Sequence, residues 1–253
     1  MMKLIASLLL ITAAAWLAGC SRTEPINKYT LQTGTTVTTP VGRTHPSYDW
    51  WTARHQAVVD RVKQKNVDMI FIGDSITQGW EGAGNNVWQQ YYGDRKAVNM
   101  GFSSDFTQHV LWRLDNGEIA GINPKLAVIM IGTNNRSDGA KDVADGIVAI
   151  CKKLRRDLPN TKILLLAIFP CDPNAQSPNR IKHEQVNTII SSLADNKWIY
   201  YLNINDKFLD KDGNLSKDIM PDYLHPNERG YQIWAEAIEP TVSKIMGDKN
   251  KSH

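Results

Sequence analysis

The first candidate for chemistry in this chain is Ser75, which follows an apolar segment at residues 67–72 after only Gly73 and Asp74. A segment of this kind, with β-branched residues and a glycine at its end, is typical of a buried central strand. Open α/β sheets place their chemistry at the carboxyl ends of parallel strands. A helix that begins at Ser75 would favour the negative charge that develops when the serine attacks. The alternative is that Asp74 and Ser75 only cap that helix.

Asp222 and His225 form a second candidate pair, three residues apart in a loop bounded by Pro221 and Pro226. A carboxylate that binds the imidazole at Nδ1 leaves Nε2 to take a proton from a serine. An isolated pair with this spacing is more often part of a solvated loop. The pair therefore gains meaning only if other blocks accompany it.

Two further polar blocks follow predicted strands. One spans residues 99–105, and the other is Gly132-Thr133-Asn134 after the strongly apolar run 126–131. Both should reach the sheet edge where Ser75 lies. Backbone N–H groups and an asparagine amide at such an edge are what an oxyanion hole requires.

Taken in order, these four blocks resemble those of the SGNH (GDSL) hydrolases. Within that family, residues 50–240 look most like the catalytic subunits of intracellular platelet-activating-factor acetylhydrolase. The closer resemblance is carried by residues 109–114, 132–135 and 222–225.

The resemblance implies a Ser-His-Asp esterase. Ser75 would be the nucleophile, His225 the general base and acid, and Asp222 the residue that orients His225. The oxyanion hole would consist of the Ser75 N–H, the N–H at Ser104 and the Asn134 side chain. Ser104 stands where the family usually has glycine, and we expect a complete hole there if the φ angle of this serine is negative.

Predicted strands at residues 67–72, 97–100, 126–131, 163–169 and 199–204 alternate with predicted helices. This alternation predicts an α/β fold, a three-layer α/β/α sandwich with a five-stranded parallel sheet. The resemblance adds that the sheet should be flavodoxin-like. The G-x-S-x-G elbow of the α/β-hydrolases is missing, because Ile76 and Thr77 follow the serine.

Residues 1–19 are predicted to be a lipoprotein signal peptide. Lys3 precedes an apolar run, and Leu17-Ala18-Gly19-Cys20 resembles the bacterial lipobox, in which the cysteine is acylated. We therefore expect a lipid anchor on Cys20 and a place in the bacterial cell envelope. Ser21 favours the outer membrane, with the enzyme facing the periplasm or the cell surface. Residues 20–46 are predicted to form a flexible tether, residues 47–246 the hydrolase domain and residues 247–253 a tail.

The 253 residues, 42% of them hydrophobic, suffice for one domain of this kind. The net charge of +3 and the dispersed lysines and arginines argue against nucleic acid as a partner. Because the sequence has no cysteine-histidine cluster, we predict that the protein needs no metal and no cofactor. Whether Cys151 and Cys171 pair is left open. Among the other histidines, His55 and His109 are predicted to belong to the scaffold and His183 to be solvated.

These patterns predict a carboxylic-ester hydrolase that removes short acyl groups, acetyl first, through an acyl-enzyme. For an envelope protein the ester could be borne by a sugar or an acetylated cell-wall glycan, on the ground of location alone. Two alternatives stay open. One is a phospholipase or lysophospholipase that acts on membrane lipid, and the other is a non-catalytic glycan-binding lipoprotein.

Overall fold

A computed structural model describes residues 26, 29–32 and 34–251 of the chain. In it, five parallel strands form one central sheet. The strands are β1 (Met69–Gly73), β2 (Ala97–Gly101), β3 (Leu126–Met130), β4 (Lys162–Leu166) and β5 (Ile199–Leu202). Their order, β2-β1-β3-β4-β5, is that of flavodoxin-like sheets. The predicted fold class is therefore confirmed.

Helices cover both faces of the sheet. The described residues contain seven α-helices: α1 (Asp49–Lys63), α2 (Ser75–Gln78), α3 (Asn85–Tyr92), α4 (Thr107–Asp115), α5 (Ala140–Asp157), α6 (Pro178–Ser191) and α7 (Glu228–Met246). Short 3₁₀ turns lie at Thr36–Thr38, Pro46–Tyr48, Gly79–Glu81 and Asn205–Phe208. Helices α1, α4, α5 and α6 contribute to the core on one face, and α3 and α7 to the core on the other. Alternate residues of β1 serve the two cores, as the pleat requires, with Ile70 on one side and Phe71 on the other.

Strand β4 ends at Leu166, three residues before the end of the apolar run, residues 163–169, from which it was predicted. Residues 167–169 are still buried, but the backbone of Ile168 bonds to a side chain. The Asn187 amide accepts from the Ile168 N–H at 2.7 Å and donates to the Ile168 carbonyl at 3.0 Å. An amide side chain from α6 thus satisfies the backbone groups where the strand ladder stops.

The segment before α1 lies against the domain, which differs from the flexible tether predicted for residues 20–46. We call its continuous described part, residues 34–46, the N-terminal strap. The buried Val37 accepts a hydrogen bond through its carbonyl from Thr107 Oγ1 at 3.0 Å. The Val41 N–H donates to the Gln108 carbonyl at 3.2 Å. Gly42 passes so close to α4 that a Cβ there would lie 2.8 Å from the Trp112 ring.

The domain therefore begins earlier in the chain than predicted. Gly42 permits the close approach of this segment to α4, because it has no Cβ. The predicted signal peptide and Cys20 lie outside the described residues. In the part of the chain that is described, no helix is long and apolar enough to span a membrane.

Candidate active site

Ser75 is the first residue of α2 and follows the carboxyl end of β1 after a single residue, Asp74. Gly73 lies very close to the neighbouring strand β3, because a Cβ on Gly73 would lie 2.4 Å from the Met130 carbonyl oxygen. The Asp74 carboxyl caps α2 by accepting from the Ile76 N–H at 3.0 Å. From the far end of the chain, Tyr231 Oη donates to the Ile76 carbonyl at 2.7 Å. The serine is thus placed by buried contacts on both sides of the helix start.

His225 and Asp222 lie beside Ser75, as the sequence predicted from two distant blocks. Ser75 Oγ is 2.9 Å from His225 Nε2, and His225 Nδ1 is 2.6 Å from Asp222 Oδ2. Because an ionised carboxylate only accepts hydrogen bonds, Nδ1 carries the imidazole proton and Nε2 is left to accept from the serine hydroxyl. The three side chains therefore form a hydrogen-bonded series with the polarity that proton transfer from a serine needs.

The Asp222 carboxylate is held by its own loop. Its Oδ1 accepts from the N–H groups of Leu224 at 3.0 Å and His225 at 2.8 Å. Partial burial raises the pKa of this carboxyl, but the hydrogen bonds from His225 and Leu224 outweigh burial and leave the pKa below its usual range. Asp222 is consequently ionised at neutral pH, which fixes the tautomer just described.

The predicted oxyanion-hole residues come from two neighbouring loops. Asn134, after β3, donates through Nδ2 to the Asp105 carbonyl at 3.0 Å, so one of its two amide hydrogens is used within the protein. Within the described residues, no group accepts a hydrogen bond from the Ser75 N–H or the Ser104 N–H. These two N–H groups are thus not used in hydrogen bonds within the described part of the chain.

Ser104 adopts φ = +60°, so the condition of a negative φ, on which the prediction of a complete oxyanion hole depended, is not met. This left-handed conformation is the one that glycine takes freely and that a residue with a Cβ takes at a cost of about 1–2 kcal/mol. The backbone at position 104 thus keeps a conformation suited to glycine although the residue is serine.

Asp105 is a fully buried carboxylate next to this loop. Trp51 Nε1 donates to its Oδ1 at 2.7 Å and Arg113 Nε to its Oδ2 at 2.8 Å. Burial raises the pKa of Asp105 to about 6, and Arg113, Trp51 and Arg43 oppose the rise. The carboxylate is therefore ionised at neutral pH.

The ion pairs continue from Asp105 through the interior. Arg113, itself fully buried and 3.9 Å from the Phe102 ring centre, also bonds Glu118. Glu118 in turn lies 2.9 Å from His55 Nδ1. Sequence reasoning placed His55 in the scaffold but gave no sign of this series.

Asp74 is a second buried carboxyl, and burial raises its pKa to about 7. The Ile76 N–H opposes the rise, and the charge of Asp105 adds to it. The Thr133 hydroxyl is close enough to oppose it as well. Even so, neither Asp74 Oδ2 nor Thr133 Oγ1 has a hydrogen-bond partner of good geometry among the described residues.

The remaining histidines and cysteines lie away from the triad. His109 accepts from the Phe106 N–H at 3.0 Å, and burial lowers its pKa to about 3, so it belongs to the scaffold as predicted. His183, predicted to be solvated, is instead buried, with Nδ1 3.1 Å from the Phe169 carbonyl oxygen and 3.6 Å from Cys171 Sγ. Cys151 and Cys171 are free, buried thiols. Among the described residues, no three acidic, histidine or cysteine side chains are grouped to hold a metal ion.

Comparison with known proteins identifies the family to which this site belongs. Residues 71–233, the span from Phe71 in β1 to Ile233 in α7, match the GDSL-like Lipase/Acylhydrolase family. The chain belongs to that family. Its relatives include the alpha1 subunit of platelet-activating factor acetylhydrolase IB from Homo sapiens, 34% identical over 82% of this chain and 89% of the relative. The alpha2 subunit from Rattus norvegicus is 36% identical over 78% and 86%.

Solved structures of this family share the fold. A GDSL-like lipase from Bacteroides thetaiotaomicron aligns with a TM-score of 0.61 at 20% identity, over 78% of this chain and 97% of that one. An acetyl-xylooligosaccharide esterase from Geobacillus stearothermophilus aligns with a TM-score of 0.56 at 20% identity, over 72% and 94%. The chain is thus an ester hydrolase by family, with a sheet and helices arranged as in these GDSL hydrolases.

The buried Asp74 leads to a prediction on stability. Its folded-state pKa of about 7 lies above the unfolded value of about 3.9, so the carboxyl stabilises the fold at low pH and loses this effect as the pH rises through 7. Asp74→Asn keeps an acceptor for the Ile76 N–H but does not ionise. Between about pH 5 and pH 8, wild type should lose on the order of 2 kcal/mol of unfolding free energy more than this variant. Urea denaturation at both pH values measures the difference, and parallel losses would contradict a raised pKa.

Proposed function

We propose that this chain is a serine esterase of the GDSL type in which Ser75, His225 and Asp222 form the catalytic triad. The observation that carries the proposal is the series of 2.9 Å and 2.6 Å contacts from Ser75 Oγ through the His225 ring to Asp222. A helix-capping role alone would explain Asp74 and the position of Ser75. It would not explain an oriented imidazole at the serine hydroxyl.

The reaction follows from the protons already assigned. Ser75 Oγ attacks the acyl carbon while its proton passes to His225 Nε2, and Asp222 stabilises the resulting imidazolium. The N–H groups of Ser75 and Ser104, with the Asn134 amide, donate to the oxyanion. His225 then gives the proton to the departing alcohol, which leaves an acyl group on Ser75. Water, deprotonated by His225, releases the acid and restores the serine.

The acyl group is proposed to be short, with acetyl first. Support comes from the relatives that are more than 30% identical, whose name describes them as acetylhydrolases. The substrate is proposed to be an acetylated sugar or an acetylated glycan of the cell envelope. A lipid-borne ester is the second candidate, because the same name gives platelet-activating factor as the relatives' substrate.

The lipobox carries a further part of the proposal, the place of the enzyme. We propose that Cys20 is acylated and anchors the enzyme in the bacterial envelope, at the outer membrane. The support is the residue pattern at 1–21 alone. The described domain contains the whole proposed triad, so it should act without the anchor.

The triad is tested by hydrolysis of p-nitrophenyl esters together with acetylated sugars and phospholipids. We expect turnover of the acetyl ester to be abolished in Ser75→Ala and His225→Ala, because each loss removes the same proton-coupled attack. Asp222→Ala should cost less, since the imidazole remains. Circular dichroism checks that the variants fold. Wild-type rates in Ser75→Ala would exclude the serine mechanism, and a preference for long-chain phospholipid would favour the alternative substrate class.

The oxyanion hole is tested by kcat in three variants. Asn134→Ala removes a side-chain donor and should lower kcat by about 10²–10³. Ser104→Ala keeps the backbone N–H and should cost far less. Ser104→Gly should cost least, because glycine takes φ near +60° without strain. Measurement on acetyl and butyryl esters also shows whether the Ser104 side chain limits acyl length. Equal damage from Ser104→Ala and Asn134→Ala would mean that the hydroxyl itself takes part.

The anchor is tested in the bacterial host. Cys20→Ser should abolish lipid attachment and release an active enzyme into the soluble fraction, because the acyl chain is attached at that cysteine. Fractionation followed by an esterase assay and mass spectrometry of the mature N-terminus measures both effects. Membrane partitioning that persists in this variant would point to another anchor.

A further inference from the structure

We propose that Arg43, in the N-terminal strap, is a positioning residue that holds the backbone of Ser104 in the conformation needed for the oxyanion hole. The inference rests on the proposed function of Ser104. It assigns a role in catalysis to a segment that precedes the first helix and lies outside residues 71–233, which match the family.

Arg43 is inserted between the strap and the loop that carries Ser104. Its Nη2 donates a hydrogen bond to the Ser104 carbonyl, and its Nε lies 3.6 Å from Asp105 Oδ1. The guanidinium lies over the Tyr48 ring, with 4.4 Å to the ring centre, and its side chain is only 8% exposed. A long cationic side chain is thus almost completely buried to reach one backbone carbonyl and one carboxylate.

The carbonyl that Arg43 binds controls the orientation of the loop. The Ser104 carbonyl belongs to the peptide that joins residues 104 and 105, so a bond to it fixes ψ of Ser104. The next carbonyl, that of Asp105, is held by Asn134 at 3.0 Å. Two successive carbonyls are therefore fixed by side chains from outside the loop. Ser104 itself has φ = +60° although it has a Cβ.

The strap itself is fixed where it delivers Arg43. The contacts of Val37 and Val41 with the first turn of α4, and of Gly42 with the Trp112 ring, lie directly before Arg43 in the chain. Arg43 is consequently presented by an ordered segment. A chain that begins at residue 47, the domain start predicted from sequence, would lack it.

A purely structural role for Arg43 predicts different kinetics from a positioning role. Loss of general stability lowers the amount of active enzyme and the melting temperature. Loss of positioning at an oxyanion donor lowers kcat with little change in KM, because the donor acts mainly in the transition state. It should also depend on the residue at position 104, since glycine adopts the left-handed conformation without outside support.

The experiment measures kcat, KM and melting temperature for Arg43→Ala and Arg43→Lys, each with Ser104 and with Ser104→Gly. Arg156→Ala is the matched control, because Arg156 is exposed and, as far as the described residues show, bonds its neighbour Asp157 alone. We expect Arg43→Ala to lower kcat on an acetyl ester by roughly 10–100-fold, within the range for a displaced oxyanion donor. KM should change less than about threefold. Added guanidinium ion should restore part of kcat in Arg43→Ala and none in Arg156→Ala. The loss from Arg43→Ala should be several times smaller in the Ser104→Gly background.

Several results would overturn the inference. They are a kcat for Arg43→Ala within twofold of wild type, an effect confined to KM, or an equal loss in both backgrounds at position 104. If Arg43→Ala does not fold, Arg43→Lys carries the test, because it keeps the charge but not the fork of donors. Ser75→Ala in the same assay distinguishes a failure of this inference from a failure of the proposed function. An inactive Ser75→Ala beside a fully active Arg43→Ala would overturn this inference alone, whereas an active Ser75→Ala would overturn the proposed function.

Discussion

The buried charge of Asp105 is the constraint on which the site depends. An ionised carboxylate in the interior costs several kcal/mol unless it is paired and hydrogen-bonded. Here the partners come from separate parts of the chain: Trp51 from α1, Arg113 from α4 and Arg43 from the strap. The same residue accepts from Asn134 through its backbone carbonyl. Compensation of one charge therefore brings together the elements that surround the proposed oxyanion hole.

The two buried carboxyls near Ser75 differ in their hydrogen-bond partners and hence in how readily they ionise. Asp105 has an arginine and an indole N–H within 2.8 Å, whereas Asp74 has one backbone N–H on Oδ1 and an unpaired Oδ2. Their mutual repulsion helps to raise the pKa of Asp74 to about 7. An acyl-transfer site develops negative charge at the oxyanion, so a carboxyl that is only partly ionised near pH 7 opposes that charge less than a fully ionised one would. Burial of Asp74 thus suits the chemistry proposed at Ser75.

Sequence reasoning predicted the elements whose signals are local. The blocks after β1 and β3 and before α7 converge as expected. It failed where a residue's state depends on distant partners. The strap has no apolar period, so its docking on α4 and the burial of Arg43 left no local signal. His183 was misplaced because a single polar residue in a helix gives no sign of the Phe169 carbonyl that binds it. The apolar run also overestimated the length of β4, because residues 167–169 remain buried after the strand ends at Leu166.

Serine at position 104, where the family usually has glycine, makes the left-handed backbone there dependent on supporting contacts. Glycine in the left-handed region needs no support, because it has no Cβ to clash with its own backbone. Serine at φ = +60° persists only if its surroundings over-determine that conformation. Those surroundings are the Arg43 bond to the Ser104 carbonyl, the Asn134 bond to the next carbonyl, and the turn in which the Asp105 N–H donates to the Phe102 carbonyl at 3.1 Å. The contacts that hold the backbone at Ser104 thus come partly from residues outside its loop, one of them Arg43 in the segment that leads towards the N-terminus.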